Sequence, residues 1–391
     1  MQPQTNIKFD KQSFNRIRRS IKNMSFTKRE RKTDDGYASD LPEEVGIQLT
    51  HQCNLRCQHC FQWNDDGFFH HLSKPEIKSQ LDIDVFRKIM RQTESVKSNL
   101  YLWGGEPLMY NQWDELVQVL EQDTRWTVVC TNGILIKHKL DSLLKISSSL
   151  TLLISLDGFE FENDLVRGQG VFNKVIQNID LLLKLKQQGL FKGEISINCV
   201  ISEAVVPRMF EFLEYFEKKG VNTVYFCFPW YISSHTAHRM DEFFAENFKL
   251  ICHSTSSAAS SWHAYSYHLN PNVIDSLFNQ ISLINSRKWQ IRVRFQPALE
   301  LDEIAGFING EEVVGQKRKE CLASSFRMNV LPSGAVTVCK MFPEFTVGNL
   351  NTDDIAKLWH NESFTYCRKL IASGLMPVCS KCVLLYLHGG S

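Results

Sequence analysis

Cys53, Cys57 and Cys60 stand in a C-x3-C-x2-C spacing within LTHQCNLRCQHCFQW, residues 49–63. Three thiolates this close together suit a four-iron cluster held through three of its irons, with the fourth left open. A simple electron carrier supplies four cysteines instead, because electron transfer needs a closed site. Zinc is a competing occupant: it takes four nitrogen or sulfur ligands, and His51 or His59 would complete such a set. Purely structural thiols are the third reading.

A second set lies far downstream. Cys321 and Cys339 are followed by Cys379 and Cys382 in the C-x2-C turn CSKC. Gly334 precedes Cys339 in a G-x4-C pattern, and MNVLPSGAVTVCK (328–340) reads as a hairpin turning at Pro332–Ser333–Gly334. On spacing alone, these four thiols would also close a four-coordinate zinc site. Cys367 sits in SFTYCRKLIASG, a helical neighbourhood that argues for a buried thiol. Cys130, Cys199, Cys227 and Cys252 fall mostly in strand or helix patterns, where core packing is the default.

The elements that must position these groups alternate regularly after residue 44. VGIQLT (45–50), NLYLWGG (99–105), WTVVCTNG (126–133), LTLLISLDG (150–158), EISINCVIS (194–202) and VNTVYFCFP (221–229) read as strands. Helical patterns at 82–95, 111–123, 171–189 and 208–220 fall between them, the first with Asp82 or Asp84 as cap. Six alternating units without a dinucleotide fingerprint predict an α/β fold, a partial (β/α)6 barrel with a parallel sheet. Functional groups in such sheets gather at the C-terminal strand ends, and the three cysteines follow the first strand.

The chain has 391 residues and 43% hydrophobic content, enough for one large domain and a smaller one. Its formal net charge of +1 predicts no nucleic-acid partner. No apolar run approaches the roughly 18 residues of a membrane span. No signal peptide is expected, and a cytoplasmic location follows. Twelve cysteines in such a chain argue for metal sites or buried thiols over disulfides. Residues 1–32 are basic, with ten Lys/Arg against Asp10 and Glu30, and Phe14, Ile17, Ile21 and Met24 repeat at helical spacing. The reading is a helix capping the main domain, against a docking arm for an acidic partner or a mitochondrial presequence.

With its triad behind strand one, the chain resembles the radical S-adenosylmethionine (radical SAM) superfamily, whose signature is C-x3-C-x-aromatic-C. His59 occupies the aromatic slot. The resemblance implies that S-adenosylmethionine (SAM) chelates the open iron of a [4Fe-4S] cluster. One electron then cleaves it to a 5′-deoxyadenosyl radical that abstracts a substrate hydrogen, and the protein orients substrate and excludes water. WGGEP (103–107) resembles the family's GGEP motif, with Gly104 and Gly105 admitting close approach of the ligand and Glu106 accepting from the SAM ammonium. SLDG (155–158) resembles the ribose-contacting segment and offers Ser155 and Asp157. NDLVRGQGVF (163–172) makes Arg167 the candidate clamp for the SAM carboxylate, and Asn198 matches a further SAM-contacting position. TNG (131–133) recurs in the family. No residue is assigned as catalytic beyond the cluster and SAM site.

The second cysteine set resembles the C-terminal SPASM or twitch extension of these enzymes. With no cysteine after Cys382, it implies one auxiliary [4Fe-4S] cluster held by Cys321, Cys339, Cys379 and Cys382. The expected organisation is a basic arm at 1–44, the radical SAM partial barrel at 45–230, a helical linker and substrate region at 231–320, and a small iron–sulfur domain at 321–391. Around the start of the linker, Pro229, Trp230 and Tyr231 are candidate pocket residues; 254–261 is a serine-rich loop, and WQIRVRF (289–295) is a possible strand. The implied activity is modification of a ribosomally made peptide, with a small-molecule dehydrogenase or rearrangement enzyme as the alternative and a non-catalytic electron carrier as a minor one. The substrate is a peptide or small molecule, and a flavodoxin- or ferredoxin-type protein is the expected reductant. The 44 residues before strand one are fewer than the peptide-recognition domain that many such enzymes carry. A molybdopterin-type cyclase fits less well, because Gly389–Gly390–Ser391 does not match its double-glycine end.

Overall fold

The computed structural model describes residues 2–7, 11–248, 251, 260–312 and 317–390. Lys8, Asp10, Cys252, Ser391 and most of the serine-rich loop at 254–261 lie outside the described residues. The strands are β1 (Glu44–Gln48), β2 (Asn99–Trp103), β3 (Thr127–Thr131), β4 (Leu150–Ser155), β5 (Glu194–Val200), β6 (Thr223–Cys227), β7 (Arg292–Gln296), β8 (Glu320–Cys321), β9 (Arg327–Val330), β10 (Ala335–Thr337), β11 (Thr346–Asn349) and β12 (Gly389–Gly390). β1 to β6 pair parallel, each with the next, as the alternation predicts.

The sheet is larger than six strands. WQIRVRF supplies β7, which pairs parallel with β6. Its Val293 and Phe295 are buried while Arg292, Arg294 and Gln296 are half-buried, the period-2 pattern of a strand. At the other edge β9 lies parallel to β1, and β10 and β11 follow antiparallel. One ten-stranded sheet results, in the order β11-β10-β9-β1-β2-β3-β4-β5-β6-β7. The anticipated boundaries at 230 and 320 therefore do not divide the sheet. The hairpin forms as predicted, with Gly334 in the left-handed region at φ +79°.

Alternation along each strand sorts its side chains. Ile47, Leu102, Val129, Leu152, Ile154, Ile197 and Val224 are fully buried. Helices such as Ile83–Gln92, Trp113–Gln122, Val171–Gln187 and Met209–Lys219 join successive strands. Asp82 caps the first of these, accepting from the backbone N–H of Asp84. Val175, Ile179 and Leu182 form the buried stripe of Val171–Gln187. Each such side chain contributes about 1.5–3 kcal/mol through burial. The alternate strand residues, among them Tyr101, Cys130, Leu153, Asn198, Cys227 and Gln296, face the inside of the curved sheet.

The basic N-terminal segment forms a helix, Lys11–Glu30, across the N-terminal side of the sheet. Arg16 pairs with Glu194 at 3.1 Å, Arg19 with Glu43 at 2.5 Å, and Arg31 donates to the Cys321 carbonyl at 2.8 Å. These contacts hold the helix against the sheet and the Cys321 segment. Its apolar stripe is not sealed: Ile17, Ile21 and Met24 line a cavity of about 480 Å3 beneath the sheet's concave face. Phe14 is 56% exposed.

Candidate active site

Cys53, Cys57 and Cys60 lie in the loop after β1 and line one cavity of about 290 Å3 at the C-terminal ends of the strands. The loop is held by its own backbone: Cys60 N–H donates to the Cys57 carbonyl and Trp63 N–H to that of Cys60. Donors surround the sulfurs. Leu55 N–H lies 3.4 Å from Cys53 Sγ, Asn132 Nδ2 is 3.9 Å from it, and Arg167 Nη1 is 3.8 Å from Cys57 Sγ. Such donors offset the negative charge of cluster-bound thiolates. Burial pushes the thiols up, Cys53 to about 11 and Cys57 to about 12, with Cys60 also raised. Loading the site must displace their protons.

The SAM-site candidates divide into two groups. Gly104, Gly105, Ser155, Arg167 and Asn198 line the same cavity as the three thiols. Glu106 and Asp157 do not; both are fully buried beside it. Glu106 accepts from Leu108 N–H at 3.0 Å, Thr131 Oγ1 at 2.7 Å and Asn132 N–H at 2.7 Å. Its carboxylate fixes the β2 and β3 loops. Burial raises it to about 7 against these three donors. Asn132 passes the constraint on, donating to Asn54 Oδ1 at 2.7 Å beside Cys53.

Asp157 is likewise held by protein groups. Its Oδ2 lies 2.6 Å from Arg167 Nε and 2.7 Å from His59 Nε2, and its Oδ1 accepts from Val200 N–H at 2.7 Å. Burial opposes ionisation, yet Arg167 and His59 hold the carboxyl well below its ordinary range. Arg167 is thereby tied between Asp157 and Cys57. Asn198 faces the cavity and accepts from the Cys227 thiol at 3.0 Å. The glycines also admit a close approach within the protein: a Cβ on Gly104 would lie 2.5 Å from the Thr50 carbonyl oxygen. One on Gly105 would lie 2.2 Å from that of Gln52. The close approach they permit is to the backbone leading into the cysteine loop.

Cys321, Cys339, Cys379 and Cys382 meet around a second, apolar cavity of about 50 Å3. Cys367 is absent from that lining and fully buried in the helix Glu362–Ser373, as expected of a packing thiol. Among the described residues, no three His, Cys, Asp or Glu side chains converge on a single-ion position. Zinc needs sulfurs about 2.3 Å from one point. Four thiols around one space match the ligand count of a [4Fe-4S] cluster. His51 is turned away to the Glu76 carbonyl at 2.9 Å, and His59 is engaged by Asp157.

Several cavity residues carry no motif and escape sequence reading. Tyr265 stacks on Phe61 at 4.6 Å and donates to the Met341 carbonyl at 3.0 Å. Tyr267 meets the His59 ring at 5.7 Å. Pro229 and Trp230 line the cavity as anticipated, whereas Tyr231 packs on His268 at 4.7 Å. Lys340 and Met341 reach it from the segment beside Cys339. Inward alternation points to Tyr101 and Cys130; no local signal marks Tyr265 or Lys340.

Comparison with known proteins agrees with this geometry. Residues 47–213 match the radical SAM superfamily, and residues 321–383 match the SPASM iron–sulfur cluster-binding domain. Fe-coproporphyrin III synthase of Methanosarcina barkeri is 28% identical over 46% of this chain and 42% of its own length. A probable GTP 3′,8-cyclase of Saccharolobus islandicus is 28% identical over 47% of this chain and 56% of its own. Mycofactocin maturase MftC of Mycolicibacterium smegmatis is 28% identical over 44% and 41%. The chain thus spans about half the length of the curated relatives it matches. Streptococcus suis SuiB bound to precursor peptide SuiA shares the fold with a TM-score of 0.58 at 16% identity, over 92% of this chain and 72% of that one. Native anSMEcpe with bound SAM gives 0.52 at 17% identity, over 82% and 81%. No described helix is long and apolar enough to cross a membrane. The two domains imply a SAM-binding [4Fe-4S] cluster and auxiliary cluster chemistry, and the chain carries a radical SAM domain and a SPASM iron–sulfur domain.

Proposed function

We propose that the protein is an enzyme that modifies a peptide side chain or backbone by hydrogen abstraction, most simply as an oxidation or crosslink. The observation that carries this reading is the placement of the two cysteine sets. The cavity has Cys53, Cys57 and Cys60 on one wall and Lys340 and Met341, beside Cys339, on another. A substrate group in that space would touch the hydrogen-abstracting site and stand next to a second redox group. When bound, the first cluster with SAM supplies hydrogen abstraction, and the auxiliary group supplies a destination for the electron left behind.

The chain's own residues would then bind and orient. Cys53, Cys57 and Cys60 would hold the first cluster, and Cys321, Cys339, Cys379 and Cys382 the second. Gly104, Gly105, Ser155, Arg167 and Asn198 would wall the SAM pocket. Glu106 and Asp157 would fix Asn132, Arg167 and His59 from behind. Phe61, Trp230, Tyr265 and Tyr267 would exclude water from the reacting centre. The fold likeness to SuiB, solved with its precursor peptide, and the sequence relation to a mycofactocin maturase support a peptide substrate.

The relation to a coproporphyrin synthase and GTP cyclases favours a second reading, a small-molecule substrate. The reconstituted, reduced protein should be incubated with SAM and peptide libraries, and 5′-deoxyadenosine scored against peptide mass. Peptides that lose two hydrogens in step with 5′-deoxyadenosine would bear the proposal out. Turnover coupled only to small molecules would overturn it.

A further inference from the structure

A lone ammonium stands inside the cavity. Lys340 follows Cys339 and lines three cavities: the upper one with the three thiols, the smaller one with the four, and the one beneath the sheet. Its Nζ sits 4.4 Å from the Tyr101 ring centre, 5.8 Å from that of Trp230 and 6.0 Å from that of Trp103. Contact with aromatic faces offsets only part of the desolvation of a charged group. A second cation, Arg327, also lies over the Tyr101 ring, at 5.4 Å, but it has its carboxylate: Glu44 Oε2 is 3.0 Å from Nη1.

Lys340 has no such partner among the described residues. Among the described residues no Asp or Glu side chain lines the upper or the smaller cavity, and Glu44 and Glu194, which line the cavity beneath the sheet with Lys340, are paired with Arg327 and with Arg16 and Arg292. Buried cations are ordinarily matched by an anion. The missing anion has room to come from outside, through the space where substrate would sit.

We propose that Lys340 is a substrate-specificity residue that anchors a carboxylate of the substrate between the SAM pocket and the auxiliary site. On the peptide reading above, on which this rests, the anchored group is an acidic side chain or the peptide's C-terminal carboxylate. The three aromatic faces confine the ammonium, so the carboxylate fixes which neighbouring C–H bond lies toward the abstracting site.

The test uses the full chain, anaerobically reconstituted and supplied with SAM. Binding is read by calorimetry and by the emission of Trp103 and Trp230, which flank the ammonium. The probes are acetylated, amidated Gly-Gly-Glu-Gly-Gly, its Gln counterpart, and an acetylated pentaglycine with a free C-terminus. The Glu or the free-acid peptide should bind about 10-fold tighter than the Gln peptide, and which one does so identifies the source of the carboxylate. Lys340→Met should abolish the preference, and Lys340→Arg should restore it.

Equal binding of all three probes, or a preference that survives Lys340→Met, overturns the anchor. So does a loss of about four irons in Lys340→Met, since the ammonium would then serve the auxiliary site. Failure of the functional reading looks different. Glutarate binding that depends on Lys340, with no peptide bound, keeps the anchor and removes the peptide. Peptide modification without any acid preference does the reverse.

Discussion

Asp157 holds Arg167 through a 2.6 Å contact between Oδ2 and Nε, and the same oxygen holds His59 at 2.7 Å. All three come from different segments over the C-terminal strand ends, and Arg167 reaches on to the Cys57 sulfur at 3.8 Å. One carboxylate thus locks two of the cavity's polar walls.

Removing it should leave Arg167 as an uncompensated buried charge. Asp157→Ala is expected to destabilise the protein by about 3–5 kcal/mol, read as a fall in unfolding midpoint, and to loosen iron at the first site. The Asp157 carboxyl is lowered in the folded state, so its contribution is complete above the unfolded pKa near 4 and fades only as pH falls below it. A wild-type stability advantage over Asp157→Ala that persists undiminished as pH falls well below 4 would contradict this.

Glu106 has the opposite sign. Its folded pKa of about 7 exceeds the unfolded value near 4.5, so the folded state keeps a proton that the unfolded state loses. Its share of stability is full below about pH 4.5 and declines towards pH 7, by up to about 3 kcal/mol. Glu106→Gln should remove that slope from a denaturant series across pH 5 to 7.5. The amide also turns a donor towards Thr131 or Asn132, so SAM cleavage should fall. An unchanged slope in the variant would refute the assignment.

Gly105 separates two explanations of the GGEP motif. If it serves the backbone packing seen here, with a new Cβ 2.2 Å from the Gln52 oxygen, Gly105→Ala should displace the cysteine loop. Iron at the first site should then drop even with no SAM added. Full iron with weakened SAM binding would return the glycine to the ligand.

The auxiliary set is tested by iron counts. Alanine at Cys321, Cys339, Cys379 or Cys382 should lower iron by about four atoms per chain while some uncoupled SAM cleavage persists. Cys367→Ala should leave iron unchanged. Iron that stays constant in all four ligand variants would remove the second site.

Much of this centre is legible in the sequence because its parts are local. The C-x3-C-x2-C loop, GGEP, SLDG and the C-x2-C turn each sit within a few residues, and strand periodicity places them at one end of a sheet. What escapes is long-range. Arg327 meets Glu44 across 283 positions because β9 lies on β1. That pairing, invisible to local pattern, carries Lys340 into the cavity. The contacts of Glu106 and Asp157 escape for a related reason. A motif names a residue type, but only the fold shows which donors surround its oxygens.

The central claim is two iron–sulfur sites on adjoining cavities that share Lys340 and Met341, the first open to SAM. Anaerobic iron and sulfide analysis, with electron paramagnetic resonance of the reduced protein with and without SAM, tests it most directly. About eight irons per chain and a signal that SAM perturbs are the predicted result. About four irons, or a signal indifferent to SAM, would contradict it.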